Sequence, residues 1–408
     1  MPILSIFKST VLLLVLVISS CKGQQKENEV PSANIPSDSI PEIIVAANRT
    51  ELYLPLLQGK KVGVVANPTS VVFHDKGYTH LVDTLVSQKV DIQKVFAPEH
   101  GFRGEADAGE HVMDSVDAQT GLSIASLYGE NRKPSQELLD GLDIMVFDIQ
   151  DVGVRFYTFI ATLQLVMEAC AEHNIPMIVL DRPNPNGHYV DGPTMMKEHT
   201  SFLGMTPIPL VYGMTIGEYA QLLNGEGWLE GGKKVDLTVI PLKNYTHQSE
   251  YHLPIRPSPN LPNDVSITLY PSLGLFEGTN VNAGRGTEYQ FQRYGASFLD
   301  STQYKFRYVP QPNFGSKNPK EEGKICYGKD LSQIPRMNEV SLQWVIDAYN
   351  YTTDKSKFFL TSGFTKHAGT PVLQQQIEAG LSEREIKATW QEELETFKKI
   401  REKYLIYD

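Results

Sequence analysis

The first half of the chain alternates short apolar runs with segments of helical spacing. Apolar runs of this length are typical of buried strands, and the spacing between them is typical of amphipathic helices. The predicted strands are 61–67, 92–97, 144–148, 177–181 and 235–241, and the predicted helices are 80–88, 156–173 and 216–223. This alternation predicts an α/β fold with a Rossmann-like parallel sheet, covered by helices on both faces, over residues 43–240.

The pattern changes after about Thr246, where Pro, Asn, Gly and Tyr become more frequent. The segment 381–404 is charged and helix-like, and Ser382 and Glu385 have the spacing of a capping box. We therefore expect a smaller α+β domain over residues 241–408. Ligand clefts often form where domains meet, so the active-site cleft is expected between the two domains.

The N-terminal residues have the pattern of an export signal. Lys8 precedes an apolar run, 11–18, that is too short to span a bilayer, and Cys21 follows two serines. Residues 1–20 are therefore interpreted as a lipoprotein signal peptide, the alternative being an ordinary signal peptide with an incidental cysteine. Lipidation of Cys21 would hold the protein to a membrane of the cell envelope, at the periplasmic face or outer surface. The polar residues 21–42 predict a flexible tether.

Composition narrows the class of protein. Hydrophobic residues make up 41% of the chain and charged residues 21%, as expected of a well-packed globular protein. The net charge of −11 argues against nucleic acid as a partner. Cys170 and Cys326 could form one disulfide or remain buried thiols. No zinc-protease motif, serine-hydrolase elbow or dinucleotide fingerprint is present, so neither a metal nor a cofactor is expected.

Polar residues follow three of the predicted strands, and the carboxyl ends of parallel strands meet at one edge of a sheet. The first cluster contains Glu99, His100 and Arg103. A glutamate beside an apolar wall can act as a general acid, and glycines around it allow close approach of a ligand. The alternative is a turn in which Glu99 caps the next segment and pairs with Arg103.

The second cluster contains Asp148, Gln150, Asp151, Arg155 and Tyr157. Arg155 is a candidate for binding a carboxylate, since arginine can bond both oxygens, and Tyr157 for binding a sugar hydroxyl. Asp151 could instead cap the helix predicted at 156–173.

The third cluster and two later loops supply further polar candidates. Prolines stiffen the loop that contains Asp181, Arg182 and Asn184. The side-chain amide of Asn184 suits sugar hydroxyls and acetamido groups. The alternative for Asn184 is a structural Asx-turn. The candidate substrate-binding residues of the later loops are Asn260, Asn280, Asn282, Arg285 and Glu288.

Taken together, these motifs resemble the DUF1343 family, which includes exo-acting β-N-acetylmuramidases of the NamZ type. The resemblance covers nearly all of the chain after the tether. It rests on the motifs at 98–104, 148–158, 181–185, 277–280 and 284–287. It implies a Rossmann-like domain followed by a smaller one, release of N-acetylmuramic acid from the non-reducing end of peptidoglycan fragments, and catalysis by Glu99.

Glycosidic cleavage needs a proton donor and a second group that stabilises or attacks the sugar cation. With Glu99 as the acid, the candidates for the second group are Asp148, Asp151, Asp181, Glu288 and the acetamido group of the substrate. The lactyl carboxylate of muramic acid calls for a cation, and the candidates are Arg103, Arg155, Arg182 and Arg285. The expected partners are muropeptides or disaccharides derived from peptidoglycan. The alternatives are a non-catalytic sugar-binding lipoprotein and a wall amidase or esterase.

Overall fold

The computed structural model describes residues 41–104 and 115–408. Within this part of the chain, Glu42–Asp408 form one compact unit. The predicted signal peptide, Cys21 and nearly all of the predicted tether lie outside the described residues, so these assignments stay predictions.

The centre of the fold is a seven-stranded sheet that confirms the predicted α/β class. Its strands are β1 (Lys61–Ala66), β4 (Asp91–Ala97), β5 (Ser115–Val116), β6 (Ser123–Ser126), β7 (Ile144–Asp148), β8 (Met177–Leu180) and β9 (Leu237–Ile240). Their spatial order is β5-β6-β4-β1-β7-β8-β9, and every neighbouring pair is parallel except β5 with β6. Without the edge strand β5, this is the doubly wound Rossmann order, whose ligands bind beyond the carboxyl ends of the strands.

The remaining strands form two smaller antiparallel sheets. A hairpin joins β2 (Val71–His74) to β3 (Gly77–His80). After the large sheet, β10 (Arg293–Ala296), β11 (Phe306–Tyr308) and β12 (Cys326–Asp330) form a three-stranded sheet with β12 in the middle. This part has the mixed α+β character expected of the second half, while the boundary at residues 240 and 241 stays a prediction.

The described residues also form α-helices. They are α1 (Thr50–Leu57), α2 (Leu81–Ser87), α3 (Gln136–Leu139), α4 (Phe159–His173), α5 (Ile216–Gly225), α6 (Asp264–Leu273), α7 (Gln343–Asn350), α8 (Thr361–Ala368), α9 (Val372–Glu378), α10 (Glu383–Ala388) and α11 (Gln391–Arg401). The capping box at Ser382 and Glu385 is present. In residues 41–104 and 115–408, no helix is both long enough and apolar enough to cross a membrane.

The long helix α4 begins at Phe159, after Thr158, and not at residue 156 as predicted. Asp151 is therefore too far away to be its N-cap, and that interpretation is wrong. The intervening residues run as a loop past the end of β7, and this loop brings Tyr157 and Thr158 to the cavity described below.

Successive side chains of a strand point to opposite faces of the sheet, so the hydrophobic core is divided between the two faces of the large sheet. Val65 and Phe147 pack on one face with α4 and α5, whereas Val64 and Val146 pack on the other with α1 and α2. The hydrophobic core on the face with α4 and α5 continues without interruption into the second half of the chain, where it includes Phe276. Cys170 and Cys326 are both buried free thiols, so the alternative of a disulfide is excluded.

Candidate active site

Glu99 lies two residues beyond the end of β4, at the carboxyl edge of the large sheet. Its half-buried carboxyl group accepts hydrogen bonds from Tyr128 Oη at 3.1 Å and from Thr158 Oγ1 at 2.9 Å. Burial, followed by the charge of Glu99, raises the pKa of Tyr128 to about 12, so this phenol remains a donor. The two hydroxyls therefore hold both oxygens of Glu99 in defined positions.

The turn after Glu99 is unusual for a non-glycine residue. His100 has a φ of 71° and Gly101 a φ of 78°, both in the left-handed region. His100 is buried, and its Nε2 lies 3.4 Å from Ser258 Oγ. A sharp reversal thus directs both Glu99 and His100 toward the residues that follow the large sheet.

A cavity of about 290 Å³ opens beside Glu99. One wall comes from the large-sheet half of the chain and the other from the region after residue 258. The lining residues are Glu99, His100, Tyr128, Phe156, Tyr157, Thr158, Phe159, Leu203, Ser258, Asn260, Leu261, Tyr270, Glu277, Arg285 and Phe291. The predicted cleft between the two parts is therefore present.

Aromatic side chains form much of the cavity wall. Tyr270 makes edge-to-face contacts with Phe156 at 5.0 Å and with Phe291 at 4.7 Å between ring centroids. Tyr157 packs against the same tyrosine and donates a hydrogen bond to Pro257 O at 2.5 Å. Such a wall suits the apolar face of a sugar ring or the methyl of an acetamido group.

Polar groups from the second half of the chain face this wall. Arg285 donates from Nη1 to Glu277 Oε1 at 2.8 Å and from Nη2 to Gly315 O at 3.2 Å. Asn260 donates to the same carbonyl at 2.7 Å. A second cavity of about 390 Å³ shares Leu203, Glu277 and Arg285 with the first.

Of the first predicted cluster, the structure brings Glu99 and His100 to the cavity but not Arg103. The Arg103 guanidinium lies 2.7 Å from Asp117 and 2.9 Å from Asp83. It therefore pairs with these two aspartates rather than with Glu99.

Of the second cluster, only Tyr157 lines the cavity. Asp148 and Arg182 form a buried bidentate ion pair at 2.6 and 2.8 Å. Asp151 accepts from Gly153 N and from Tyr212 Oη, and burial raises its pKa to about 6. Gln150 donates to Pro183 O at 2.6 Å. These contacts lie under the carboxyl edge of the sheet, outside the cavity.

Arg155 is 1% exposed and lies away from the cavity lining. It donates to Pro193 O at 2.7 Å, Ile208 O at 2.9 Å and His367 O at 3.0 Å. Burial lowers its pKa to about 9. Its side chain thus joins two loops and helix α8 through their carbonyl groups, where a carboxylate ligand was expected.

The third cluster also supports the fold. Asp181 is fully buried and accepts from Gly217 N and Thr215 Oγ1 at 2.8 Å and from Tyr407 Oη at 2.6 Å. Asn184 accepts from Asn186 N and donates to Met214 O, both at 2.8 Å, which is the Asx-turn alternative.

In the later loops, Asn260 and Arg285 line the cavity beside Glu99, and Asn282 lines the second cavity. The side-chain amide of Asn282 donates to Arg285 O at 3.0 Å and to Lys320 O at 2.8 Å. Asn280 donates to Lys357 O at 2.6 Å. Glu288 is exposed and lines neither cavity.

Sequence reasoning missed several lining residues, namely Tyr128, Thr158, Ser258, Tyr270 and Glu277. Thr158 and Glu277 stood inside motifs already noted, but nothing in their spacing distinguished them from neighbouring polar residues. Tyr128 follows the short strand β6, whose weak apolar pattern gave no signal. In the described part of the chain, no group of three or more acidic, histidine or cysteine side chains is arranged to hold a metal ion.

Two family models match this chain. Residues 62–265 match the model described as exo-beta-N-acetylmuramidase NamZ, N-terminal, and residues 268–407 match that described as exo-beta-N-acetylmuramidase NamZ, C-terminal. The chain is also similar to the peptidoglycan beta-N-acetylmuramidase NamZ of Bacillus subtilis (strain 168). The identity is 38% over 374 residues, which cover 87% of this chain and 89% of that protein.

Two crystal structures of DUF1343 family proteins from Bacteroides fragilis NCTC 9343 have similar folds. The first has a TM-score of 0.83 at 42% identity, with coverage of 90% of this chain and 99% of that chain. The second has a TM-score of 0.76 at 27% identity, with coverage of 90% of this chain and 100% of that chain.

Proposed function

This chain belongs to the NamZ family of exo-β-N-acetylmuramidases, and from that premise we propose that it is a glycoside hydrolase that releases N-acetylmuramic acid from the non-reducing end of peptidoglycan fragments. The observation that carries the proposal is the position of Glu99. Its carboxyl group faces a cavity of about 290 Å³, with hydroxyl donors on both oxygens.

In the proposed reaction Glu99 gives its proton to the oxygen that links the terminal sugar to its neighbour. The bond between the anomeric carbon and this oxygen breaks, and its electron pair stays with the leaving oxygen. One water molecule is consumed: its hydroxyl group ends on the anomeric carbon, and its proton returns Glu99 to the acid form. Tyr128 and Thr158 orient the carboxyl group for both proton transfers.

The test is hydrolysis of a chromogenic β-N-acetylmuramide and of a peptidoglycan-derived disaccharide. We expect free N-acetylmuramic acid from the wild-type protein, and a loss of at least about 10²-fold in kcat for Glu99→Gln, with product binding retained. Glu322→Gln, the same change at an exposed position, is the matched control.

The products also separate the competing functions. Released peptide in place of free sugar would identify an amidase, and binding without turnover would identify a sugar-binding protein. Full activity of Glu99→Gln would remove Glu99 from the mechanism.

Arg285 is the proposed partner of the lactyl carboxylate. Of the four candidate cations, Arg103, Arg155 and Arg182 donate to protein groups away from the cavity, whereas Arg285 lines it. Its Nε is buried and has no acceptor within residues 41–104 and 115–408. We expect Arg285→Gln to weaken binding of N-acetylmuramic acid about tenfold or more and to leave that of N-acetylglucosamine, which lacks the lactyl group, nearly unchanged. Calorimetry with both sugars checks this, and equal losses would contradict it.

The proposed location is the cell envelope, with a lipid anchor on Cys21. The support is the sequence pattern before this cysteine. Metabolic labelling with a fatty acid should mark the wild-type protein in the membrane fraction, and Cys21→Ser should abolish the label. Labelling that survives this substitution would place the anchor elsewhere.

A further inference from the structure

Glu277 is a second carboxylate on the wall of the cavity beside Glu99. It lies in a helical turn, Gly274–Gly278, that follows α6, so it comes from the opposite half of the chain. Of the residues that line this cavity in the described structure, Glu99 and Glu277 are the two acidic ones. Both contribute to the field around the Tyr270 hydroxyl, which lies in the wall they share.

Basic side chains surround Glu277. Arg285 Nη1 lies 2.8 Å from Oε1, and His367 Nε2 lies 3.7 Å from Oε2. Burial raises the pKa of Glu277, but the contacts and charges of His367, Arg285 and Lys320 outweigh it and lower this pKa to about 2. Glu277 is thus held as a carboxylate, while its side chain remains 24% exposed to the cavities.

The backbone that carries Glu277 is also held firmly. Lys320 Nζ donates to three carbonyl groups in and just after this turn, at Phe276 O (3.1 Å), Glu277 O (2.9 Å) and Thr279 O (2.5 Å). His367 is held in turn, because its Nδ1 lies 2.8 Å from Gly363 O. A carboxylate held in one place by a guanidinium group needs little reorganisation when charge develops beside it.

We propose that Glu277 is the second catalytic carboxylate, which remains ionised and stabilises the positive charge that develops on the sugar as Glu99 protonates the leaving oxygen. The inference rests on the proposed glycosidase function and names a residue outside the candidates derived from sequence. Asp148, Asp151 and Asp181 are buried against protein donors, and Glu288 faces solvent, whereas Glu277 faces the cavity. The same role holds whether the charge sits on the sugar ring or on the acetamido group of the substrate.

The experiment measures kcat and KM of Glu277→Gln with a chromogenic β-N-acetylmuramide, beside wild type and the exposed control Glu322→Gln. The amide keeps the shape of the side chain and removes its charge. We expect kcat to fall about 10²- to 10³-fold, with KM within a few-fold of the wild-type value and the control unchanged. Circular dichroism and the melting temperature show whether each variant is folded.

Chemical rescue supplies an independent measurement. In Glu277→Ala, which leaves space for a small anion, added formate should restore at least about tenfold of the lost activity, and it should not stimulate the wild-type protein. A purely structural role would not respond to formate in this way.

The outcomes separate the two proposals. An inactive wild-type protein would overturn the glycosidase function and the role of Glu277 together. If the wild-type protein is active, any one of three results would overturn the role of Glu277 and leave the glycosidase function standing. These are a kcat of Glu277→Gln within about tenfold of wild type, an effect confined to KM, and a folded Glu277→Ala that formate does not rescue.

Discussion

At the scale of single residues, the surroundings of each carboxyl group decide what it does. Asp148 is the last residue of β7 and Asp181 directly follows β8, and both are fully buried. Asp148 is paired with Arg182, and Asp181 accepts hydrogen bonds from the start of α5 and from Tyr407. Glu99 instead lies two residues beyond the end of β4, where its carboxyl group meets a cavity. Similar positions in sequence thus serve the fold in two cases and face the proposed substrate in the third.

Asp181 gives a prediction about stability and pH. Burial, opposed chiefly by the Tyr407 hydroxyl, raises the pKa of Asp181 to about 7 from its usual 3.8. Between these values the folded protein keeps a proton that the unfolded chain has lost, so this group makes the free energy of unfolding fall as the pH rises from about 4 to 7. Asp181→Asn cannot ionise and should remove this part of the slope. Urea unfolding of the wild-type protein and of Asp181→Asn at several pH values in this window tests the prediction. If the free energy of unfolding fell equally steeply with pH in both proteins, the prediction would be wrong.

At the scale of elements, a close contact sets the position of Glu277. A Cβ atom on Gly278 would lie 2.3 Å from Phe364 Cα, in α8, and 2.6 Å from Phe364 N. Only glycine therefore lets the turn that carries Glu277 approach the helix that carries His367. Gly363, in the same helix, is different: its added Cβ would have no neighbour nearer than Gly278 Cα at 3.7 Å.

These two glycines form a matched pair. Gly278→Ala should push the turn away from α8, lower the melting temperature and reduce kcat, because Glu277 moves with the turn. Gly363→Ala should keep wild-type kcat and raise stability by up to about 1 kcal/mol through helix propensity. Thermal unfolding and steady-state kinetics of both variants test this. Equal behaviour of the pair would show that the contact does not position Glu277.

At the scale of the whole molecule, distant parts of the chain are joined by buried polar contacts. Arg155 binds the carbonyl groups of Pro193, Ile208 and His367. The end of the chain returns to the large sheet, where Tyr407 Oη donates to Asp181 and accepts from Leu242 N at 2.8 Å. The two walls of the cavity are therefore held by one continuous structure, which agrees with the compact unit Glu42–Asp408.

The returning C-terminal segment should be needed for stability more than for catalysis. Tyr407→Phe removes the hydroxyl that pairs with two buried groups and should cost about 1–3 kcal/mol. Deletion of residues 405–408 should cost more, because Ile406 N also donates to Glu218 Oε1 at 2.8 Å. Denaturant unfolding measures both losses, and kcat well below the melting temperature should stay close to wild type. If both variants unfolded at the same denaturant concentration as the wild-type protein, these contacts would not contribute to stability.

The sequence was most informative where the signal is local. The five predicted strands all appear in the sheet as β1, β4, β7, β8 and β9, and the apolar runs of β1, β7 and β8 are buried on both faces. It also indicated that Glu99 lies at the carboxyl edge of the sheet, because Glu99 comes just after a predicted strand of that sheet. The start of α4 was misplaced because Phe156 and Tyr157, just before it, are large and buried like the residues of the helix itself.

Hydrophobic patterning and local turn signals thus determined by themselves the α/β class, the Rossmann-like first part and the residues at the strand ends. Only the tertiary structure decided which of those residues meet. Whether Arg155 reaches a ligand or three carbonyl groups, and whether Glu277 stands across a cavity from Glu99, depends on contacts between residues far apart in the chain. Spacing along a sequence records the period of a helix or strand, but it holds no information on the distance between two loops that fold together from separate halves.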